Sequence, residues 1–171
     1  MAGRRPINTQ AGPGFFDEPA AAALTSDRLL IVEADGGSRG NPGPAAYGAL
    51  VRDAQTSKVL AAEGLPIGRA TNNVAEYRGL IAGLEMAREL DPEAALEVRM
   101  DSKLVIEQMA GRWKIKHPDM KPLALEAARL RPASVTWTWV PREDNKAADT
   151  LVNRALDGDP VPRQHPVERP S

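Results

Sequence analysis

The stretch LLIVEADGGSRGNPGPAAYGALVRD, residues 29–53, decides the fold. Its first seven residues are an apolar run ending in Asp35, which reads as a short buried strand. The loop GGSRGNPGP (36–44) follows, and AAYGALVRD (45–53) is a second strand. KVLAAEGLPI (58–67) is a third, after the short connection Ala54–Ser57, so the chain opens with a meander. The period then changes. In TNNVAEYRGLIAGLEMAREL (71–90), Tyr77, Leu80, Ile81, Leu84 and Ala87 recur at helical spacing, with Thr71 or Asn72 as N-cap and Asp91-Pro92 as stop. ALEVRMD (95–101) is a fourth strand, SKLVIEQMAG (102–111) a short helix stopped by Gly111, and 118–130 a helix closed by Pro132. SVTWTWV (134–140) is a fifth strand, taken as central, whose Trp137 and Trp139 share parity and are assigned to the core. EDNKAADTLVNRALD (143–157) is the last helix, with Ala147, Ala148, Leu151, Val152, Ala155 and Leu156 inward. The order βββαβααβα predicts an α/β (α+β) domain: a mixed five-stranded sheet with helices on both faces.

The flanks read differently. Residues 1–26 are rich in Gly, Pro and Ala without an apolar period, a disordered tail in which Phe15 and Phe16 are the only candidates for docking. Residues 158–171 are a proline-rich tail or linker. That leaves 27–157 as the domain. The 171 residues include no cysteine, which excludes disulfides, thiolate metal ligands and a thiol nucleophile. Two histidines, His117 and His165, argue against a His-rich metal site. There is no long apolar run and no basic-then-apolar leader, so no membrane partner and a cytoplasmic location are expected. Taken as a total, the net charge of -1 argues against nucleic acid. It is an average, however. Residues 103–121 carry Lys103, Arg112, Lys114, Lys116 and Lys121 against Glu107 and Asp119, with Trp113 among them. Such a segment suits a strand of nucleic acid, or a Trp packed on the domain edge under solvated lysines.

Four acids stand at element ends: Asp35 closes the first strand, Asp101 the fourth, and Glu76 and Asp149 lie near the starts of helices. If the first and fourth strands are adjacent and parallel, Asp35 and Asp101 come side by side, as sites do at the carboxyl ends of parallel strands. Such a cluster stays ionised only when cations neutralise it, and oxygen ligands alone favour Mg²⁺ or Mn²⁺. Two such ions suit in-line phosphoryl transfer. Taken singly, each acid is equally a turn former or a solvated helix acid. By strand parity Asp35 shares a face with Glu33, and Asp101 with Arg99 and Glu97, so Arg99 is expected to pair with Glu33 behind the cluster.

The contexts of the acids are EADGGSRGNPGPAAYG (33–48), ATNNVAEYRGL (70–80), MDSKLVIEQMAGRWKIK (100–116) and VPREDNKAAD (140–149). In that order they resemble ribonuclease H of type 1, over about residues 29–157. The resemblance implies the ribonuclease H-like fold and hydrolysis of the RNA strand of RNA–DNA hybrids by two Mg²⁺ ions, leaving 5′-phosphate and 3′-hydroxyl ends. It places Asp35, Glu76, Asp101 and Asp149 on the family's metal ligands. It also implies hybrid contacts from Gly40, Asn41, Asn72 and Asn73, a phosphate pocket at Arg69 and Thr71, and further contacts from Ser102, Lys103, Trp113, Lys114 and Lys116. Thr71 and Asn72 can cap the helix as well.

Two departures stand out. The basic helical handle of many members is missing, as in the compact branch, some of whose members are joined to a phosphatase domain. The proline-rich end fits a linker to such a domain or a plain terminus. The loop before Asp149 also lacks the family's His. Arg142 takes about that place and can assist a departing phosphate but cannot serve as a base; Asn145 or Glu143 is the other candidate. A monomer is expected. The competing readings are a silent hybrid- or RNA-binding module and another nuclease of the same fold. The phosphate cradles of nucleotide-binding proteins do not match, since GGSRGNPG lacks their glycine pattern and leads into a strand.

Overall fold

The computed structural model describes residues 26–164. Strands β1 (Leu29–Ser38), β2 (Gly43–Asp53) and β3 (Val59–Ala70) form the expected meander. Helix α1 (Asn72–Leu90), β4 (Ala95–Met100), α2 (Lys103–Met109), α3 (Lys121–Leu130), β5 (Val135–Trp139), α4 (Lys146–Leu156) and β6 (Val161–Gln164) follow, with a 3₁₀ turn at Arg142–Asp144 before α4. The sheet order is β5-β4-β1-β2-β3-β6. β1 is antiparallel to β2 and parallel to β4, and β4 is parallel to β5. The first and fourth strands are therefore the parallel neighbours that the acid spacing required.

One face of the sheet carries α1, α2 and α3 over the main core. Leu30, Val32 and Ala34 of β1 meet Tyr77, Leu80 and Leu84 of α1 there, all fully buried. Burying a Leu of this kind contributes roughly 2 kcal/mol. The Thr71 hydroxyl caps α1 by accepting from the Val74 N–H at 3.3 Å, and the helix ends at Asp91, ahead of Pro92. The other face carries α4, whose Val152 and Ala155 pack on Ala46 of β2. This helix lies so close that a Cβ on Gly48 of β2 would stand 2.5 Å from the Ala148 carbonyl oxygen. No helix of the described residues is long and apolar enough to cross a membrane.

Three features differ from the sequence reading. First, β5 is an edge strand: Trp137 is half-buried against the core, but Trp139 is 45 % exposed. Second, Arg99 and Glu33 are register partners, yet they do not pair. Arg99 bonds Glu97 on its own strand at 3.0 Å, and Glu33 takes Arg52 of β2 at 2.8 Å. The antiparallel neighbour offers Glu33 a cation on the diagonal, and Glu97 lies on the same face as Arg99. Third, the sheet has a sixth strand in the segment read as a tail. β6 pairs with β3, and an outermost strand tolerates Pro162 because its free edge needs no donor. The expectations for residues 1–25, including Phe15 and Phe16, lie outside the described residues.

Arg163 of β6 holds this strand in place. It donates to Glu63 through Nε at 3.1 Å and Nη2 at 3.0 Å, to Glu85 at 2.8 Å and to Glu89 at 3.0 Å. Glu63 is buried and also accepts from the Tyr47 hydroxyl at 2.7 Å. Arg163→Ala leaves the buried Glu63 carboxylate without its cation and should cost about 2 kcal/mol. Urea unfolding measures this, and adding Glu63→Gln should restore part of the loss. Unchanged stability in Arg163→Ala would show that β6 is not integral to the domain.

Candidate active site

β1 and β4 part company at a defined place. Their parallel register ends at Glu33–Arg99, whereas β1 remains paired with β2 as far as Ser38–Ala45. Asp35 therefore does not end its strand, as the sequence suggested. It sits where the parallel pairing has stopped, two residues past Glu33, and Asp101 sits two residues past Arg99. A cleft of about 590 Å³ opens there. Asp35, Asp101, Glu76 of α1 and Asp149 of α4 all line it.

Glu76 reaches this cleft because α1 presses on β1. A Cβ on Gly36 would lie 2.2 Å from the Ala75 carbonyl carbon and 2.3 Å from the Glu76 nitrogen, so only glycine permits the approach. Gly37 has no such neighbour; its Cβ would meet a Val152 methyl at an ordinary 3.5 Å. Asp149 is carried in from the opposite face by the first turn of α4. Asn145, fully buried just before that helix, ties its start to β1 by donating from Nδ2 to the Ala34 carbonyl at 2.9 Å. Its Oδ1 is buried without a hydrogen-bond partner among the described residues.

The electrostatics follow from burial and proximity. Burial, then the Asp101 carboxylate, push Asp35 up to about 8; Asp149 and Glu76 add to this, and the Gly36 N–H opposes it. Glu76 is pushed up to about 7 by burial and to a lesser extent by Asp101, against a hydrogen bond from Ser102. Asp101 is raised by burial and by Asp149, and lowered by the Arg142 guanidinium and by Asn145. These carboxylates thus resist ionising together, which is the strain a hard divalent cation relieves. Among the described residues no three His, Cys, Asp or Glu side chains are grouped tightly enough to hold an ion as they stand. Holding one would require the carboxylates to draw closer together; Asp101 and Asp149 are less buried than Asp35, and Asp149 accepts from Asn153 Nδ2 at 3.3 Å. The all-oxygen donor set fits Mg²⁺ or Mn²⁺.

The other expected residues divide into those at the cleft and those flanking it. Asn72 and Arg142 line it. Asn72 Oδ1 accepts from the Ser38 N–H at 2.8 Å, and Asn41 Oδ1 accepts from the Asn72 N–H at 3.0 Å. The loop between β1 and β2 is stitched to the start of α1 in this way. Gly40 and Asn73 are exposed nearby, Arg69 is exposed near the end of β3, and Thr71 spends its hydroxyl on the cap. Ser102 caps α2 by accepting from Val105 N at 3.2 Å.

Trp113, Lys114 and Lys116 are exposed beyond α2 and do not line the cleft. They are anchored through Gln108, which donates to the Lys114 carbonyl at 3.3 Å and accepts from the buried Tyr77 hydroxyl at 2.7 Å. Lys103 sits over the Trp139 ring, 5.6 Å from its centroid. Several cleft residues lie outside the sequence reading of the site, among them Ser38, Asn153, Arg39 and Trp139. Arg39 pairs with Asp157 at 2.7 Å, and Trp139 was taken for core because parity does not reveal which strand is the edge.

A family model described as Reverse transcriptase-like matches residues 33–155. The bifunctional protein Rv2228c of Mycobacterium tuberculosis is 58 % identical over 130 residues, which span 75 % of this chain and 35 % of that protein. The chain thus matches about a third of that relative's length. Ribonuclease HI of Halobacterium salinarum is 45 % identical over 140 residues, 80 % of this chain and 69 % of that protein. The solved structure of LC11-RNase H1 in complex with RNA/DNA hybrid aligns with a TM-score of 0.72 at 39 % identity, covering 75 % of this chain and 97 % of that one.

The two neighbouring glycines give a paired test of how the cleft is built. Gly36→Ala drives a methyl into the α1 backbone and should destabilise the domain by about 2 kcal/mol or more. Gly37→Ala should stay within about 0.5 kcal/mol of the parent. Thermal or urea unfolding of both variants decides; equal effects would mean that the approach of α1 to β1 is not what fixes Glu76.

Proposed function

Because the chain belongs to the type 1 ribonuclease H family, we propose that it hydrolyses the RNA strand of RNA–DNA hybrids endonucleolytically, leaving 5′-phosphate and 3′-hydroxyl ends. The observation that carries this reading is the convergence of four carboxylates from four separate elements on one cleft, beside the amide of Asn72 at the start of α1, which the loop residue Asn41 braces. Asp35, Glu76, Asp101 and Asp149 would hold two Mg²⁺ ions, with Mn²⁺ as a substitute. Bound there, such ions supply an activated water and stabilise the departing oxygen.

The chain's own residues do the rest. The oxygens of Asn41 and Asn72 each accept from a backbone N–H group, which fixes the orientation of both amides and leaves their –NH₂ groups to donate to a ligand. Donors of this kind suit the 2′-hydroxyls and base acceptors exposed in the wide minor groove of an A-like duplex. Arg142 brings a permanent positive charge to the Asp101 side of the cleft, where a cut phosphate leaves. Lys114, Lys116 and Trp113 extend from α2 as a support for the DNA strand. Arg69 and Thr71, at the start of α1, suit a phosphate of that strand.

In Mg²⁺ the protein should cut a labelled RNA–DNA hybrid and spare duplex DNA. A chelator or Asp101→Asn should bring the rate below about one-hundredth of the parent. Hybrid cleavage that survives either treatment would overturn the two-metal assignment, and absence of cleavage by the parent would overturn the function. A separate measurement concerns the basic segment. In Lys114→Gln/Lys116→Gln the slope of log affinity against log salt should flatten by about 1 for each lysine that meets a phosphate. An unchanged slope would remove these residues from the interface.

A further inference from the structure

We propose that Trp139 is a substrate platform of this same cleft, packing its indole against the ribose and base of the nucleotide next to the cleaved phosphate. The inference rests on the proposed function and adds a residue to it. Four observations converge on this side chain. It is a large aromatic left 45 % exposed at the end of an edge strand, where burial would be the ordinary outcome. It lines the cleft that holds the four acids. Its indole Nε1–H donates to the Asp101 backbone carbonyl at 3.2 Å, which fixes the ring beside the acid that ends β4. The Lys103 ammonium lies 5.6 Å from the ring centroid and 3.8 Å from Glu107, so a positive charge stands on the same wall.

The consequences follow from chemistry. A wall of indole and ammonium beside a carboxylate cluster suits a ligand that alternates flat apolar surface with negative charge, as a nucleotide chain does. With its N–H committed to the Asp101 carbonyl and Lys103 over the ring, the indole offers a ligand the rest of its ring surface, which makes the contact indifferent to base identity. Register places Trp139 opposite Met100, so the end of β5 that carries the ring lies beside the residue that precedes Asp101, and the indole N–H reaches the Asp101 carbonyl from there.

The test compares Trp139→Phe, Trp139→Leu and Trp139→Ala with the parent. Hybrid affinity is read by fluorescence anisotropy of a labelled hybrid under chelation, and kcat and KM are read in Mg²⁺. A platform predicts about a tenfold weaker Kd and higher KM for the Ala variant, a similar loss for Leu, and near-parental binding for Phe, which keeps a ring. A residue that merely holds the Asp101 carbonyl predicts the opposite: Phe, Leu and Ala all lower kcat alike, with Kd and KM unmoved. That result would overturn the proposal, as would parental behaviour of all three variants. Should Ala fail to fold, the comparison of Phe with Leu decides alone. A parent that neither binds nor cuts hybrid fails the proposed function itself and is thereby told apart from failure at Trp139.

Discussion

Everything at the cleft depends on the place where β1 and β4 stop pairing. Beyond Glu33–Arg99 the two parallel strands no longer share hydrogen bonds, while β1 continues with β2 to Ser38. Asp35 is thereby held on a strand that is still anchored on its other side. Asp101, by contrast, stands at the free end of β4, less buried than Asp35 and capped at the carbonyl by Trp139. One rigid acid and one more open acid face each other across the gap. The remaining two arrive from opposite faces of the sheet: Glu76 because α1 sinks onto Gly36, Asp149 because α4 sinks onto Gly48. Side chains larger than hydrogen at those contacts would hold both helices away.

Such a cluster works against folding, since burial and mutual repulsion both disfavour its charged form. The fold bears this at the cleft and compensates elsewhere. The buried Glu33 is matched by Arg52, and the buried Glu63 by Arg163, so acids inside the sheet but away from the cleft have their own cations. At the cleft Arg142 moderates Asp101 without entering an ion pair with any of the four acids among the described residues. This distribution explains why an overall charge of -1 misleads. Four of the 23 acids line the cleft where cations would bind, and residues 103–121 carry five basic residues against two acids.

Much of this was legible in the chain. The change of hydrophobic period separated strands from helices, and Thr71 with Asp91-Pro92 bracketed α1. The failures share a cause: they concern which neighbour an element meets, and periodicity carries no such information. Trp139 was misassigned because alternation gives a strand's two faces and leaves its position in the sheet unstated. Glu33 took Arg52 in place of Arg99 because both strands flanking β1 offered a cation, and parity could not rank them. The β6 segment reads as a tail because its prolines and charges suit an extended linker, yet proline does not bar an outermost strand. Among site residues, the loop amides were found through motif context alone. Nothing in their spacing foretold that their oxygens would be occupied by the backbone.

That occupation has a consequence for specificity under the proposed function. Amide groups free at both ends could turn over to meet donors or acceptors alike. Here the Ser38 and Asn72 N–H groups require an oxygen from Asn72 and Asn41, so neither side chain can flip without orphaning a backbone donor. The orientation of both amides is thereby fixed, and each keeps its –NH₂ group for a ligand. In a minor groove the acceptors A N3 and T O2 look alike from base pair to base pair, and a 2′-hydroxyl accepts on every ribonucleotide. Donors held in one orientation therefore suit the sugar and the shape of the duplex more than its sequence. General hydrolysis of RNA in hybrids demands that combination, and the backbone of the loop between β1 and β2 enforces it.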